Sequence, residues 1–259
     1  MLCLWLVRML GPSEKPKNCD ATFTLNQGFK GYSLRRHLGD SLLFTSSSNR
    51  PITDMQTPVS SADRSADLDR QTLRQRIRQR RRALSAEQQT TFSQQAAQRI
   101  IAHPRIQQAR HVAAYLSFDG ELDTAPLIDA LWRLGKQVYL PVLHPFSTGQ
   151  LLFLRYEHDT ALRLNRLNIL QPRLDVSQVL PTHRLDILLT PLVAFDDRGQ
   201  RLGMGGGFYD RTLKHWQAHG PYPIGLAHDC QQIEQVPAAY WDVPLPEILT
   251  PSRAWQWPA

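Results

Sequence analysis

The sequence predicts an α/β fold, specifically a three-layer α/β/α sandwich built on a mostly parallel sheet. From residue 68 onward, short apolar runs typical of strands alternate with segments of helical period. Residues 186–195 (DILLTPLVAF) form a nearly continuous apolar run, as expected of a central strand that is covered on both faces. The chain has 259 residues, of which 42% are hydrophobic, enough for one ordinary domain with a core. Its apolar runs all fall short of the roughly 20 residues that a membrane span needs.

The individual elements can be placed in order along the chain. An arginine-rich helix carries Leu73, Ile77 and Leu84 on one stripe, and a predicted capping box at residues 85–88 then opens a second helix. Gly135 ends a third helix. The predicted elements are helices from about residue 68 and from 86, strand 111–118, helix 124–134, strands 137–143, 151–156 and 186–195, helix 207–217, and strands at 223–227 and near 248. Ligands usually bind at the carboxyl ends of the strands in such a sheet.

Residues 1–66 differ in composition from the rest of the chain. They contain scattered Ser, Thr, Asn, Gly and Pro with no sustained period, so we expect a poorly ordered extension. Met55 precedes the first periodic helix, which suggests the hypothesis that translation begins there; the intact mass of the natively expressed protein tests it. Residues 67–259 are predicted to form a single domain. The three cysteines fit neither a disulfide framework nor a metal pattern, which favours a reducing, cytoplasmic location.

The positive charge is concentrated in one segment. The formal net charge is +7, and seven arginines lie within residues 70–82, where no acidic residue separates them. These arginines are Arg70, Arg74, Arg76, Arg78, Arg80, Arg81 and Arg82. They form either a solvated helix face or a surface on which one or two guanidinium groups meet phosphate. RNA binding is an alternative, but no aromatic residues lie among the arginines and no known RNA-binding motif accompanies them.

A glycine-rich loop between the predicted buried strand and a helix is the most informative segment. Four glycines, Gly203, Gly205, Gly206 and Gly207, occupy five positions, so successive backbone N–H groups can form a concave anion site. The loop matches neither the Walker A pattern nor G-x-G-x-x-G, and a merely tight turn is the alternative. Arg201 and Arg211 flank the loop with cations suited to phosphate. Asp210 follows it and is a candidate Mg²⁺ ligand or a partner of the helix dipole.

A second polar cluster follows the strand that begins at residue 111. Glu121 has no evident structural task there, so it is a candidate for binding the N–H groups of a polar heterocycle, with Leu116 and Phe118 as apolar neighbours. Asp123 and Thr124 are better explained as helix N-cap residues. Near the end of the chain, Asp242 is a candidate second metal carboxylate.

Three segments together resemble one enzyme family. They are L-R-x-x-x-R with A-L-S-A-E-Q (residues 73–88), L-S-F-D-G-E-L-D-T (116–124) and P-L-V-A-F-D-x-x-G-x-R-L-G-M-G-G-G-F-Y-D-R (191–211). On these residues the chain resembles the 5-formyltetrahydrofolate cyclo-ligases, also called methenyltetrahydrofolate synthetases, over about residues 68–250. The resemblance implies conversion of 5-formyltetrahydrofolate, with or without a polyglutamate tail, to 5,10-methenyltetrahydrofolate. It also implies ATP as co-substrate, Mg²⁺, and a fold like that of the sugar-phosphate isomerase and CoA-transferase (NagB/RpiA-like) domains.

By motif position, the resemblance implies roles for individual residues. Those that would contact ATP are Arg70, Arg74, Arg201, Leu202, Gly203, Met204, Gly205, Gly206, Gly207, Phe208 and Tyr209. Those that would bind the folate are Leu116, Glu121, Met204, Gly205, Gly206, Gly207 and Phe208. Asp210 and Asp242 would hold Mg²⁺, and Tyr209 and Arg201 would act in catalysis.

The sequence departs from the family pattern at two positions, and it leaves two alternative functions open. Arg70 stands where the family often has lysine, and Met204 stands where some members have a basic residue, so phosphate charge would be met by other groups. One alternative is a sugar-phosphate or CoA-handling enzyme of the same architecture, which would not consume ATP. The other is a basic RNA-binding module, whose affinity would fall steeply with salt.

Overall fold

The computed structural model describes residues 61–258, which fall in one compact unit. The expectations for residues 1–60 lie outside this range. The helices are α1 (Ser61–Arg82), α2 (Ala86–Ile101), α3 (Pro104–Gln108), α4 (Ala125–Arg133), α5 (Phe208–Leu213) and α6 (Trp216–His219), with 3₁₀ turns at Val176–Gln178, Thr182–Arg184 and Asp229–Gln231. The strands are β1 (His111–Ala113), β2 (Gln137–Leu143), β3 (Leu151–Tyr156), β4 (Leu162–Leu164), β5 (Leu170–Pro172), β6 (Val179–Leu180), β7 (Ile187–Pro191), β8 (Ala194–Phe195), β9 (Arg201–Leu202), β10 (Tyr222–Leu226), β11 (Glu247–Leu249) and β12 (Ala254–Gln256).

Eight of these strands form one sheet in the order β12-β11-β10-β7-β1-β2-β3-β6. The five central strands, from β11 to β2, are parallel, and strands β12, β3 and β6 are antiparallel to their inner neighbours. The predicted mostly parallel α/β sheet is therefore confirmed. Among the described residues, no helix combines the length and apolar character needed to cross a bilayer.

Both faces of the sheet are buried. Since successive residues of a strand point to opposite faces, each strand contributes side chains to both. Val112 and Ile187 pack on one side in a cluster with residues of α2 and α4, whereas Ala113 and Leu188 pack on the other side with Leu213 of α5. The apolar run predicted for residues 186–195 thus serves two faces, as its composition indicates.

The second helix begins as the sequence predicts. Ser85 accepts a hydrogen bond from the N–H of Gln88 at 3.1 Å, and the Gln88 side chain accepts one from the N–H of Ser85 at 2.9 Å. This reciprocal pair is the predicted capping box, which satisfies two N–H groups at the start of α2.

Three predicted elements are shorter or more divided than their sequence pattern indicates. The strand predicted at 111–118 pairs only to Ala113, because the chain then leaves the sheet toward a turn at residues 119–120, both of positive φ. The apolar run at 186–195 ends as a sheet strand at Pro191, and Ala194–Phe195 instead pairs with Arg201–Leu202 as a separate ribbon. The helix predicted at 207–217 is two short helices, α5 and α6. Helix α1 begins at Ser61, upstream of residue 68.

Candidate active site

A cavity of about 490 Å³ opens at the carboxyl ends of β1, β2 and β7. Its apolar wall includes Leu116, Leu140 and Leu192, and the glycine-rich loop closes one side. This position is where a parallel α/β sheet usually binds its ligand. The predicted site residues that line the cavity are Leu116, Glu121, Arg201, Gly203, Met204, Gly206, Gly207, Phe208, Tyr209 and Asp210.

The glycine-rich loop has a backbone that requires glycine at two positions. Gly205 has φ +100° and Gly207, which directly precedes α5, has φ +61°. Arg74 of α1 donates through Nε to the carbonyl oxygen of Gly203 at 2.8 Å, and its guanidinium lies 3.6 to 3.8 Å from the position a Cβ of Gly205 would take. Arg74 therefore holds the loop against α1. Leu202, in contrast, is buried in a small apolar cluster and does not line the cavity.

Arg201 is a buried cation at the base of this loop. Its Nη2 donates to Oδ1 of Asp210 at 2.6 Å, while its Nε is buried without a hydrogen-bond partner in the described part of the chain. Burial lowers the pKa of Arg201, an effect that Asp210 and Asp242 partly offset, and the guanidinium remains charged. A buried donor without a partner is costly, so Arg201 is suited to an anionic ligand in the cavity.

Asp210 faces the same cavity from the first turn of α5. Its Oδ1 accepts from Arg201 and also, at 3.2 Å, from the N–H of Val243. Its other oxygen has no recorded partner in residues 61–258, and its side chain is 16% exposed. Mg²⁺ commonly binds proteins through one or two carboxylates while its other ligands are waters and phosphate oxygens, so Asp210 fits such an ion. No group of three or more potential metal-ligating side chains occurs among the described residues.

Asp242 is engaged in a different way from the one the sequence predicts. Arg70 donates to both of its carboxylate oxygens, at 2.6 and 3.0 Å, and the N–H of Ala239 donates to one of them at 2.8 Å. Burial alone would raise the pKa of Asp242, but the hydrogen bonds from Arg70 and Ala239 outweigh burial and hold the pKa below its usual value. In this arrangement Asp242 fixes Arg70, and both of its oxygens already accept hydrogen bonds.

Arg211, which the sequence places beside the loop as a candidate phosphate contact, also has a structural task. Its Nε donates to the carbonyl oxygen of Gly149 at 2.8 Å, its Nη2 hydrogen-bonds the carbonyl of Gly206, and its guanidinium lies near the ring of Phe208. Arg211 thus ties the glycine loop to the hairpin between β2 and β3. These two hydrogen bonds use two of the five guanidinium N–H groups, so the phosphate contact of Arg211 stays a prediction.

Glu121 lines the same cavity and is almost completely buried. The residue is 7% exposed, its Oε2 accepts from the N–H of Phe118 at 3.3 Å, and its Oε1 lies 3.8 Å from Nη2 of Arg81. Burial raises the pKa of Glu121 to about 7, although Arg81 and the Phe118 N–H oppose the shift. The carboxylate is therefore positioned at the cavity with limited internal hydrogen bonding.

Most arginines of the arginine-rich segment form ion pairs within the protein. Arg78, Arg81 and Arg82 all pair with the carboxylate of Asp119, and Arg81 is fully buried. Together with Arg70 on Asp242, these contacts use four of the seven arginines in ion pairs, which disfavours the RNA-binding alternative. Arg78 also lines the cavity, whereas Arg70 and Arg74, which the resemblance assigns to ATP, do not.

The sequence analysis misses several residues that line the cavity. Tyr115 lies one residue before Leu116, and burial raises its pKa well above the usual value of a tyrosine, with Glu121 and Tyr209 adding to the effect. The hairpin β4–β5 contributes Asn165 and Gln171, whose side chains hydrogen-bond each other at 3.1 Å. Tyr115 lies within a segment predicted as a strand, but no periodic pattern marks the hairpin.

These features define an α/β enzyme whose cavity combines a glycine-rich loop beside a buried arginine, a carboxylate suited to Mg²⁺, and an apolar wall with a buried acid. The 5-formyltetrahydrofolate cyclo-ligase family model matches residues 66–251. The chain belongs to the 5-formyltetrahydrofolate cyclo-ligase family.

Individual relatives agree with this family assignment. The chain is 62% identical over 181 residues to the 5-formyltetrahydrofolate cyclo-ligase of Escherichia coli K12, which covers 70% of this chain and 100% of that protein. It is 33% identical over 185 residues to the enzyme of the same name from Mus musculus, covering 68% and 91%. Among solved structures, the 5,10-methenyltetrahydrofolate synthetase of Aquifex aeolicus is 26% identical, with a TM-score of 0.62, and the likeness covers 72% of this chain and 92% of that one.

Proposed function

We propose that this protein converts 5-formyltetrahydrofolate to 5,10-methenyltetrahydrofolate at the expense of ATP, with release of ADP and phosphate. Membership of the cyclo-ligase family supports this reaction. The structural observation that carries the proposal is that one cavity joins the buried Arg201 and the glycine loop to the buried acid Glu121 and an apolar wall. A phosphate donor and a flat heterocycle therefore find complementary groups on adjoining surfaces.

The glycine-loop side of the cavity is proposed to bind the ATP phosphates. Arg201 supplies a positive charge, and its Nε has no partner within the described residues. The loop turns through positive φ at Gly205 and Gly207, and its backbone N–H groups would supply further donors. Arg74 acts by holding the loop through Gly203, and Arg70 acts through its pairing with Asp242. Met204 carries no charge, so the loop's phosphate binding depends on Arg201 and on backbone donors.

The part of the cavity wall that carries Glu121 and Leu116 is proposed to bind the pterin. Glu121 is placed to accept hydrogen bonds from the N–H groups of the heterocycle, and Leu116 lies beside it on the apolar wall. Tyr209 lines the cavity from the first turn of α5, and burial raises the pKa of its phenol, so it serves as a neutral hydrogen-bond donor near neutral pH. Tyr115 adds a second buried phenol on the pterin side.

The chemistry requires activation of the formyl group, because an amide-like oxygen is a poor leaving group. Transfer of the terminal phosphoryl group of ATP to that oxygen releases ADP and converts the oxygen into a phosphate leaving group. Attack by the second folate nitrogen on the formyl carbon closes the ring, this nitrogen gives up its proton to solvent, and the C–O bond breaks as phosphate leaves. Arg201 would stabilise charge on the transferred group, and the two walls of the cavity would hold the reactants in line.

We further propose Asp210 as the carboxylate that holds Mg²⁺. The ion would neutralise charge on the ATP phosphates when bound. Asp242 as a second ligand stays a prediction, since it would first have to be released by Arg70 and the Ala239 N–H. The likeness to the sugar-phosphate isomerase and CoA-transferase fold, a cytoplasmic location, and acceptance of polyglutamylated substrate also stay predictions.

Replacing Glu121 with glutamine tests the pterin site. We expect the KM for 5-formyltetrahydrofolate to rise roughly ten- to a hundredfold, because a charge-assisted hydrogen bond is lost. The KM for ATP should change little. Steady-state kinetics with each substrate varied in turn measures both constants, and an unchanged folate KM would remove Glu121 from the site.

The same variant has an expected effect on stability. The folded-state pKa of Glu121, about 7, lies above the ordinary value of 4.5, so the folded state holds this proton more tightly than the unfolded state. The stability that this provides is fully present below about pH 4.5 and is lost as pH rises through about 7. Glutamine does not titrate, so the free energy of unfolding of E121Q should increase relative to that of wild type as pH rises, by up to about 3 kcal/mol. Urea unfolding at pH 5 and pH 8 measures this difference.

A further inference from the structure

The carboxyl end of α1 is fastened to the turn that carries Glu121. Arg78 and Arg82 each donate through Nε to the carboxylate of Asp119 at 2.5 Å, and Arg81 donates through Nη2 to the same group at 3.0 Å. Arg81 also donates through Nε to the backbone oxygen of Asp119 at 2.9 Å. Three guanidinium groups from one helix therefore converge on one carboxylate, two residues before Glu121.

The turn itself has a conformation that few residues adopt. Asp119 has φ +57° and Gly120 has φ +73°. A Cβ on Gly120 would lie 3.2 to 3.3 Å from atoms of Arg82, so the turn packs closely against α1. Aspartate and asparagine are the non-glycine residues that best tolerate this region of φ. The position therefore accepts asparagine without added backbone strain.

Two carboxylates compete for the buried guanidinium of Arg81. Its Nη2 lies 3.0 Å from Oδ2 of Asp119 but 3.8 Å from Oε1 of Glu121, which is beyond a hydrogen bond. The side chain of Arg81 is 0% exposed and that of Glu121 is 4% exposed, so a direct pair between them would be weakly screened. Arg81 is thus hydrogen-bonded to Asp119, while its contact with Glu121 is a longer ion pair.

We propose that Asp119 is a positioning residue which, by holding Arg81, keeps the Glu121 carboxylate open for the folate substrate. The proposal rests on the folate-binding role of Glu121 proposed above. On this proposal the arginine cluster contributes to folate binding indirectly, by leaving Glu121 free, and it does not form a separate binding site.

Other charged and titratable groups also face Glu121. Arg78 lies with Arg81 on α1, and Tyr115 and Tyr209 are the phenols whose pKa Glu121 helps to raise. His228 is a buried imidazole beside the backbone of Gly120 and Glu121. Burial and Arg81 lower the pKa of His228 to about 4, so it is neutral across the pH range of the assay.

The variant Asp119→Asn tests the proposal. Arg81 is then expected to turn to Glu121, so the folate KM on its high-pH plateau rises several-fold. The acidic limb of 1/KM against pH should also move down by about one pH unit, because a close opposite charge lowers a carboxyl pKa by 1 to 3 units. Loss of the Asp119 charge alone would move the limb without raising the plateau KM. A lower melting temperature with an unchanged plateau KM would overturn the proposal.

Two further variants complete the experiment. The double variant D119N/R81M leaves no buried charge for Glu121 to bind, so its plateau KM should return to within about twofold of wild type. If D119N does not fold, the double variant provides the test. A plateau folate KM of the double variant as high as that of E121Q would overturn the proposal. Asp186→Asn is the matched control, because the Asp186 carboxylate accepts the N–H groups of Arg110 and His111 at the amino end of β1, away from the cavity. If E121Q itself leaves the folate KM unchanged, the proposed role of Glu121 fails; if only D119N does so, Asp119 alone loses its role.

Discussion

Replacing Arg201 with methionine is expected to lower kcat by about 100- to 1,000-fold, the usual cost of removing one preorganised donor from a site of developing charge. Arg201 is 3% exposed, lines the cavity, and pairs with Asp210 at 2.6 Å, while its Nε has no partner within residues 61–258. Its charge therefore acts in a buried environment, where it is least screened. Methionine is similar in length and apolar, so it fills the space without offering a donor.

The measurement is the initial rate of methenyl product formation, followed by its absorbance at saturating 5-formyltetrahydrofolate and ATP. Arg198→Met is the matched control, because Arg198 precedes the same strand, pairs with Asp196 and is about half exposed. The control should keep most of its activity. A kcat for R201M within a few-fold of wild type, in a variant with unchanged circular dichroism, would contradict the assignment of Arg201 to the phosphate site.

Asp210→Asn is the second change with a large expected effect. We expect a fall in kcat of at least about 100-fold that added Mg²⁺ does not restore, because metal-assisted charge stabilisation is worth several kcal/mol. The asparagine side chain in D210N keeps an oxygen acceptor for Arg201 and for the N–H of Val243 but lacks the carboxylate charge. Since the buried Arg201 then lacks a counter-charge, the free energy of unfolding should also fall, by up to about 3 kcal/mol.

The two effects of D210N are separated by assaying well below the melting temperature of the variant. Rates are measured over a range of Mg²⁺ concentrations, with Asp129→Asn as a control that removes an exposed carboxylate from α4. Recovery of wild-type kcat at high Mg²⁺ would show that Asp210 affects only the affinity for the ion. Wild-type activity at ordinary Mg²⁺ would remove Asp210 from the metal site altogether.

The order of the main elements and the place of the cavity could be predicted because they depend on local patterns. Alternation of apolar runs with helical segments indicated the sheet, and the glycine loop placed Arg201 and Asp210 at the strand ends where the structure has them. Glu121 was identified because no capping role explained it. These predictions use residues close together in sequence, where the periodicity and turn chemistry are informative.

The partners of the arginines could not be predicted in the same way. Arg70 pairs with a carboxylate 172 residues away, and Arg81 with one 38 residues away. No local pattern distinguishes an arginine that is fully buried from one that is solvated, since both occur at helical spacing. The hydrogen bond from Arg211 to the carbonyl of Gly149 could not be predicted for the same reason, because Gly149 lies in a distant hairpin. The β4–β5 hairpin, which lines the cavity, lacked any periodic signal.

The most direct test of the proposed function follows product absorbance when the purified full chain is mixed with 5-formyltetrahydrofolate. Four reactions are compared, with ATP and Mg²⁺ both present, each alone, and neither. The account predicts formation of 5,10-methenyltetrahydrofolate only when both are present, with one ADP released per product. Equal product formation without ATP, or none from folded protein with both present, would contradict it.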